Sequence, residues 1–381
     1  MVQTIRTRLL VFGMSLRTLV LLVGGTLLVV DHLSGATVPN ISQLQTDAKD
    51  GRVAQEIELA ADYFTGNGVP KDAKQAAYWY QKAAESGDPE AENEIGFFYQ
   101  AGIGVLADPA RAMHWYQLAA ASGLTRAKVN LGVMYVWGIG VPKNGAMASQ
   151  FFQEAANRGD GTGASYLGDL YYFGMEVKQD KAAAERWYQA GAKLHDPMAA
   201  YNLGSLFSIV PDHPHDLRKA AAFLRQSAAA GYVQSMHSLG LLLVNHSELA
   251  MSQQEAVSML EAAAEAGSWR SSAVLGVLSR DGSGTSKDNK AAYYHFRTAI
   301  LQGGESAMRL VRNDIAVLSE KLGRQQTEML DSNANAWYQR HHQTILFVYR
   351  DGEKRERFPA SAFAFSENGL HAGELLSTPG S

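Results

Sequence analysis

Residue types able to do chemistry are few in this chain and mostly dispersed. The densest cluster is Asp212-His213-Pro214-His215-Asp216, with two imidazoles and two carboxylates in a row. Transition metals accept these ligand types. Pro214 holds the two histidines apart, however, and Asp216 stands where a helix needs its cap. The segment therefore reads as a solvated loop, and neither a metal nor any other cofactor is expected. His341-His342 reads as the basic end of a helix. Cysteine is absent, which removes disulfides, thiolate zinc sites, iron–sulfur clusters and cysteine nucleophiles. No Gly-x-Ser-x-Gly elbow, phosphate loop or His-Glu-x-x-His motif occurs. The Gly-x-Gly pairs have no strand before them, so they are not dinucleotide fingerprints. A net charge of -4 leaves no basic footprint for nucleic acid. These exclusions point to a protein that holds partners rather than one that turns over a substrate.

The elements that would position such a binding surface follow from a period of 36 residues. Gly96, Gly132, Gly168, Gly204, Gly240 and Gly276 form one column. Ala76, Ala112, Ala148, Ala184, Ala220, Ala256 and Ala292 form a second. Gly87, Gly123, Gly159, Gly231, Gly267 and Gly303 form a third, interrupted by His195. Each unit reads as two helices. In the first, Ala91, Ile95, Gly96 and Tyr99 make one buried stripe, and the mid-helix glycine, unfavourable by up to ~1 kcal/mol against alanine, implies close approach of the second helix. Gly102 and Gly104 suit a tight loop, and Asp108 and Pro109 open the second helix. The column Asp72, Asp108, Asn144, Asp180, Asp216 and Asp288 supplies caps throughout. Trp79, Trp115, Phe151, Trp187 and Phe223 lie in register with the alanines, so they read as inter-repeat core rather than as a ligand-stacking box.

LGVMYVWGIGVPKN (131–144) and WYQLAAASG (115–123) carry the resemblance of this chain to the Sel-one-like repeat family, relatives of the tetratricopeptide repeats. The resemblance implies an all-α, right-handed α-solenoid of about seven helix-turn-helix repeats over residues 54–305. It further implies roles in envelope regulation or complex assembly, and, from some members, in exopolysaccharide secretion. Cysteine-rich relatives linked to β-lactam hydrolysis rely on a disulfide framework that is missing here, so a hydrolase is the least favoured reading.

Outside the array, residues 37–53 fall in frame as an N-terminal capping half-repeat. Residues 306–342 read as a C-terminal capping helix pair, with Ala307, Leu310, Val311, Ile315 and Leu318 on one apolar face and Met329, Ala336 and Trp337 on a second. Residues 343–381 read as a flexible tail that opens with a short strand, Ile345 to Tyr349. Arg6, Arg8 and Arg17 precede an apolar run from Thr18 to Val30. This run is shorter than the ~20 residues of a spanning helix and suits a signal-peptide core, with cleavage after Ala36. Residues 1–36 are thus expected to be a signal peptide, or an uncleaved anchor holding the protein to the membrane. Either way the remainder faces outward, as an exported or periplasmic protein.

The array loses its glycine loop at FSIVPDHPHD (207–216) and LVNHSELAMS (243–252), where a partner-specific surface would be tolerated. The expected binding row lies on the concave side, on the first helices: Asn130, Tyr166 and Asn202, then Val133 and Asp169, then Tyr172. Asparagine could pair with the backbone of an extended protein or peptide partner, or with a cell-envelope polysaccharide. Trp137 and Phe173 join this candidate partner-binding set, and in the polysaccharide reading they would stack on sugars. The opposing reading is that these polar positions serve interhelical contacts.

Overall fold

A computed structural model describes the backbone of residues 20–23, 26–29, 41–209, 216–252 and 254–356, and side chains over 41–208, 216–252 and 254–341. It divides into two compact units, Met1–Trp79 and Tyr80–Ser381. In the first, β1 (Val20–Val23) and β2 (Thr26–Val29) form an antiparallel hairpin, with Val20 opposite Val29. These strands lie inside the apolar run, most of whose flanks fall outside the described residues. Among the described residues no helix is long and apolar enough to cross a membrane. Helices α1 (Ile41–Lys49) and α2 (Val53–Thr65) pack together, burying Leu44, Ala48 and Leu59. Helix α3 (Ala73–Glu85) straddles the division.

The second unit is helical throughout its described residues. Its helices are α4 (Pro89–Ala101), α5 (Pro109–Ala121), α6 (Thr125–Trp137), α7 (Gly145–Asn157), α8 (Gly161–Phe173), α9 (Lys181–Lys193) and α10 (Pro197–Ile209). Then come α11 (Leu217–Ala229), α12 (Val233–Asn245), α13 (Glu255–Glu265), α14 (Trp269–Asp281), α15 (Asn289–Leu322) and α16 (Arg324–Glu356). From α4 onward each helix packs on the next, the arrangement of an α-solenoid. A 3-10 turn, Ser247–Leu249, stands in one of the irregular loops.

One contact recurs in six of the seven repeats, from Gly96 onward. A Cβ on Gly96 would lie 2.9 Å from the ring of Tyr116, and one on Gly204 or Gly240 would lie 2.6 Å from Leu224 or Leu260. Gly132, Gly168 and Gly276 face Phe152, Tyr188 and Phe296 in the same manner. The buried ring or leucine of the second helix thus presses into the notch left by the glycine of the first. Tyr116, Phe152, Tyr188, Leu224, Leu260 and Phe296 are each at most 1% exposed. The aromatic column expected to be core sits one residue earlier and is only half-buried at Trp115, Phe151, Trp187 and Phe223. These residues pack outside the notch, with Phe151 stacked on Tyr135 at 5.9 Å and Phe223 on Phe207 at 6.0 Å.

Caps close the ends of the helices. Asp108, Asn144, Asp180, Asp216 and Asp288 each accept from backbone N–H groups of the first turn they precede, as Asp72 does for Lys74 and Gln75. Their own N–H groups reach back nine positions, to the carbonyls of Tyr99, Tyr135, Tyr171, Phe207 and Ser279. The loop is therefore clasped at both ends, and otherwise orphaned backbone groups are paired. Among the described residues two non-glycines adopt the left-handed region, His195 (φ 62) and Glu176 (φ 55). Each stands in a glycine column, and a Cβ there costs about 1 kcal/mol.

The C-terminal region departs from expectation in two respects. Gly304 (φ 56, ψ −131) bends α15, so that Ala307, Val311 and Leu318 enter the core as a further first helix. Helix α16 buries Leu330 and Ala334, whereas Met329 is 52% exposed and Ala336 is also exposed, so its inward stripe is out of step with the predicted one. Residues 345–349, read as a strand, continue α16 as helix. A short apolar run carries no periodicity that separates the two states, and here the preceding helix propagates through it. His341 is likewise within the helix, its ring stacked on Trp337 at 4.5 Å, rather than at a helix end. Residues 357–381 lie outside the described residues.

Two substitutions test these local constraints by denaturant melts. Gly168→Ala should destabilise the protein, because overpacking against Tyr188 costs about 1–3 kcal/mol and the gain in helix propensity is at most ~1 kcal/mol. His195→Gly should stabilise it by about 0.5–1 kcal/mol by removing left-handed strain, less the greater chain entropy of glycine when unfolded.

Candidate partner-binding face

The residues predicted to line a groove do lie along one side of the first helices, but the structure turns most of them inward. Val133 is 5% exposed, Asp169 and Asn202 are each 1%, and Tyr172 is 9%. The reason is that α6 touches α8, and α8 touches α10, directly on this side. Facing side chains therefore pair across repeats instead of awaiting a ligand. Asn130 donates from Nδ2 to Oδ1 of Asn93 at 2.8 Å. Asp169 Oδ1 accepts from the Tyr188 hydroxyl at 2.9 Å and from Asn202 Nδ2 at 3.1 Å. Tyr166 is half-buried and stacks on Phe152 at 5.3 Å. Trp137 and Phe173 are different: they are 37% and 40% exposed, one repeat apart, at the C-terminal ends of α6 and α8.

Several contributors to this inter-repeat ladder went unrecognised in the sequence. Asp88, Asp160, Asp196 and Ser268 cap the first helices, a second column of caps. Asp196 also takes hydroxyl hydrogen bonds from Thr162 and Ser165 of the preceding first helix. Arg126 bridges Glu90 and Glu94. Lys128 pairs with Glu154, and that contact holds the Glu154 carboxyl below its usual range. The signal was present as complementary polar residues about one period apart, such as Asn93 with Asn130 and Asp169 with Asn202.

Where the glycine loop is lost after α12, a charged fork takes its place. Arg225 Nε donates to Glu255 Oε1 at 2.6 Å, and Arg225 Nη2 reaches both Glu255 Oε2 and the Leu249 carbonyl. Glu255 Oε2 also accepts from the Met251 N–H at 2.6 Å. Bidentate geometry and backbone contacts tie this loop down, and none of its described residues takes a positive φ. In the other irregular loop only Asp216, the cap of α11, is described of the predicted Asp212–Asp216 cluster. No group of metal-ligating side chains occurs among the described residues.

One pair has the outline of a nucleophile and its base. His237 Nδ1 lies 2.8 Å from Ser271 Oγ, which in turn donates to Ser268 Oγ at 3.0 Å. Ser271 is fully buried, so no substrate can reach it. Burial, with Arg270 nearby, lowers the His237 pKa to about 4, leaving a neutral ring. The pair acts as a staple between α12 and α14.

Asp169 carries the clearest electrostatic cost. Burial pushes its carboxyl well above the usual range; the Tyr188 hydrogen bond opposes this and nearby Asp196 adds to it. Its Oδ2 and the Oδ1 of Asn202 are both buried without a hydrogen-bond partner. Because the folded pKa lies above the unfolded value of about 3.9, the folded state retains a proton that the unfolded state releases. Stability from this group is complete below the unfolded pKa and falls as pH rises towards the folded pKa. Asp169→Asn removes that titration and places an amide donor where Asn202 Oδ1 lacks one. Urea melts from pH 4 to pH 8 should show the variant gaining on the parent as pH rises, by about 1–3 kcal/mol at neutral pH. An equal or smaller stability at pH 8 would contradict this account.

Comparison with known proteins agrees with the repeat geometry. Segments 56–88, 89–124, 125–160, 162–196, 197–232, 235–268 and 271–304 each match the Sel1 repeat. Among solved structures, a Sel1 repeat protein from Oxalobacter formigenes is 29% identical, covering 58% of this chain and 89% of its own, with a TM-score of 0.49. A protective antigen of uropathogenic Escherichia coli with an SLR fold is 21% identical, covering 80% of this chain and 89% of its own, at a TM-score of 0.29. An immunity protein from Pseudomonas aeruginosa is 22% identical over 50% of this chain and 70% of its own, at a TM-score of 0.39. No curated protein matches the chain. Seven matched segments spanning more than half of the sequence, six of them folded as glycine-notched helix pairs, make this chain a member of the Sel1 repeat family, whose proteins are typically protein-interaction scaffolds.

Proposed function

We propose that this protein is a non-catalytic scaffold, acting outside the cytoplasmic membrane, that binds a protein or peptide partner through the exposed ends of its first helices. The observation that carries the reading is the pair Trp137 and Phe173, large apolar side chains left 37% and 40% exposed at the same place in successive repeats. The repeat before them has Ala101 at this position, so a large exposed aromatic there is a departure from what packing requires. Aromatic side chains lose little conformational entropy on binding and are favoured as anchors. The polar groove row is spent on contacts between repeats, which moves binding from the floor of the array to this edge. The outward location rests on the basic flank and apolar run before Asp31.

Site-specific photo-crosslinkers at positions 137 and 173 of the full chain, in the source cell, should capture one discrete protein. A crosslinker at exposed Gln153 should not. Trp137→Ala with Phe173→Ala should weaken binding of that partner by ten- to a hundred-fold, about 1.4–2.8 kcal/mol, with an unchanged melting transition. A glycan adduct in place of a protein, or equal capture from position 153, would overturn the reading.

A further inference from the structure

Departures from the repeat pattern gather at one joint, where segment 162–196 meets segment 197–232. The turn between α9 and α10 holds His195 at φ 62, the one interruption of its glycine column. Four residues earlier, Gly191 replaces the alanine or serine that the other six repeats carry. A Cβ there would lie 2.7 Å from that of Ala199 and 3.1 Å from the Gly161 carbonyl oxygen, so the backbone of α9 is pressed against both α10 and α8. Across the same joint, Asp169 of α8 and Asn202 of α10 are each 1% exposed.

One hydrogen bond joins these two side chains, from Asn202 Nδ2 to Asp169 Oδ1 at 3.1 Å. The other oxygen of each, Asp169 Oδ2 and Asn202 Oδ1, is a buried acceptor without a donor. Buried polar atoms are nearly always paired, and a single proton held between these two pairs both at once. The surrounding groups supply no alternative. α9 offers the Tyr188 hydroxyl, already spent on Oδ1 at 2.9 Å; its Lys181, Arg186 and Lys193 are exposed, and Glu185 is bonded to Gln189. α10 offers Tyr201, which packs on Tyr232 at 5.3 Å. On α6, Arg126 bridges Glu90 and Glu94, and Lys128 pairs with Glu154 of α7. α8 itself carries the phenols of Tyr166, Tyr171 and Tyr172. The turn after α9 carries exposed His195 and Asp196, and Asp196 repels a charge on Asp169.

We propose that the joint between α9 and α10 is the hinge of the array, fastened by a proton that Asp169 Oδ2 donates to Asn202 Oδ1. While the proton is present, acid and amide form a closed pair with two hydrogen bonds. Once it leaves, a carboxylate faces the Asn202 oxygen and Asp196 with no counter-charge, and separating α8 from α10 admits the water it needs. Each side keeps its fold through this step, because the Gly168–Tyr188 and Gly204–Leu224 contacts lie within repeats. His195 belongs to the same device, since a strained turn holds energy that opening releases. The joint is therefore closed at low pH. It opens as pH rises through the folded-state pKa of Asp169, which burial sets well above the usual carboxylate range. The curvature of a solenoid is built from small rotations between repeats, so one open joint redirects every repeat beyond it.

The test follows the full chain, labelled with carbon-13 at its aspartate carboxyls, by NMR across the pH range in which it stays folded. Hydrogen exchange is read by mass spectrometry at each pH. The Asp169 signal, assigned by its loss in Asp169→Asn, should remain that of a protonated acid after the exposed aspartates have ionised. Where it does ionise, protection of the α8 and α10 amides at the joint should fall about ten-fold relative to α4 and α5. Asp169→Asn, whose amide is a permanent donor to Asn202 Oδ1, should keep that protection at every pH. His195→Gly should move the opening to higher pH. Glu176→Gly, which relieves similar strain in a loop inside one repeat, should not.

Four outcomes would each overturn the hinge: an Asp169 signal that titrates with the exposed aspartates, a carboxyl that stays protonated throughout, protection lost evenly along the array, or equal shifts from the two glycine variants.

Discussion

The close approach at Gly96, Gly132, Gly168, Gly204, Gly240 and Gly276 sets the distance between the two helices of those six repeats, and the remaining geometry follows from it. A mid-helix glycine weakens its own helix by up to ~1 kcal/mol. The ring or leucine seated in the notch is almost wholly buried, and burial of such a side chain returns about 1.5–3 kcal/mol. The exchange is favourable only when both members are present, so the two columns repeat together. With the helix pair drawn close, the alanines at positions such as Ala112 and Ala148 are the largest side chains the remaining space admits, and both are fully buried. The larger aromatics one residue earlier are displaced to the half-buried flank, where they stack on Tyr135 and Phe207.

Close packing between the helices of one repeat leaves the union of successive repeats to polar chemistry. First helices contact one another directly, and the joints differ along the array: Asn93 with Asn130, Asp169 with Asn202, His237 with Ser271. A satisfied buried polar pair specifies its partner, whereas an apolar one tolerates sliding. Differing pairs give each joint its own register. The cost appears at Asp169, whose burial pushes its carboxyl well above the usual range. Repeat proteins bear such local weakness because stability is summed over neighbours rather than concentrated in one core.

Features that recur were legible in the sequence, because a column of six or seven identical residues needs no tertiary knowledge to interpret. The glycine notch, the alanine core and the aspartate caps all belong to this class. Features that depend on which side chain meets which were not. Asn202 and Asp169 occupy the expected side of their helices, but whether that side is groove or joint is decided by the separation of neighbouring first helices, which no residue type announces. The run Ile345–Tyr349 failed for a different reason: its local composition favours a strand, and the helix before it overrides that preference. Met329 and Ala336 were misassigned by a small error of helical phase, since no glycine or alanine column extends past Gly303 to fix the frame.

Function in such an array has to be carried by what does not repeat. A residue that follows its column is explained by packing, and Tyr116 or Asp108 would be there whatever the protein bound. Trp137 and Phe173 occupy a position that is Ala101 in the repeat before them, where a small residue satisfies the fold. Glu176 occupies a position where glycine satisfies it. In both cases the departure makes the isolated chain less stable or more adhesive, by exposing apolar surface or by straining the backbone. Selection for folding alone would remove these departures. Trp137 and Phe173 depart at the same position of successive repeats, a coincidence that independent drift has no reason to produce. It is the expected outcome if one partner occupies that edge and offsets, on binding, the costs the free protein bears there.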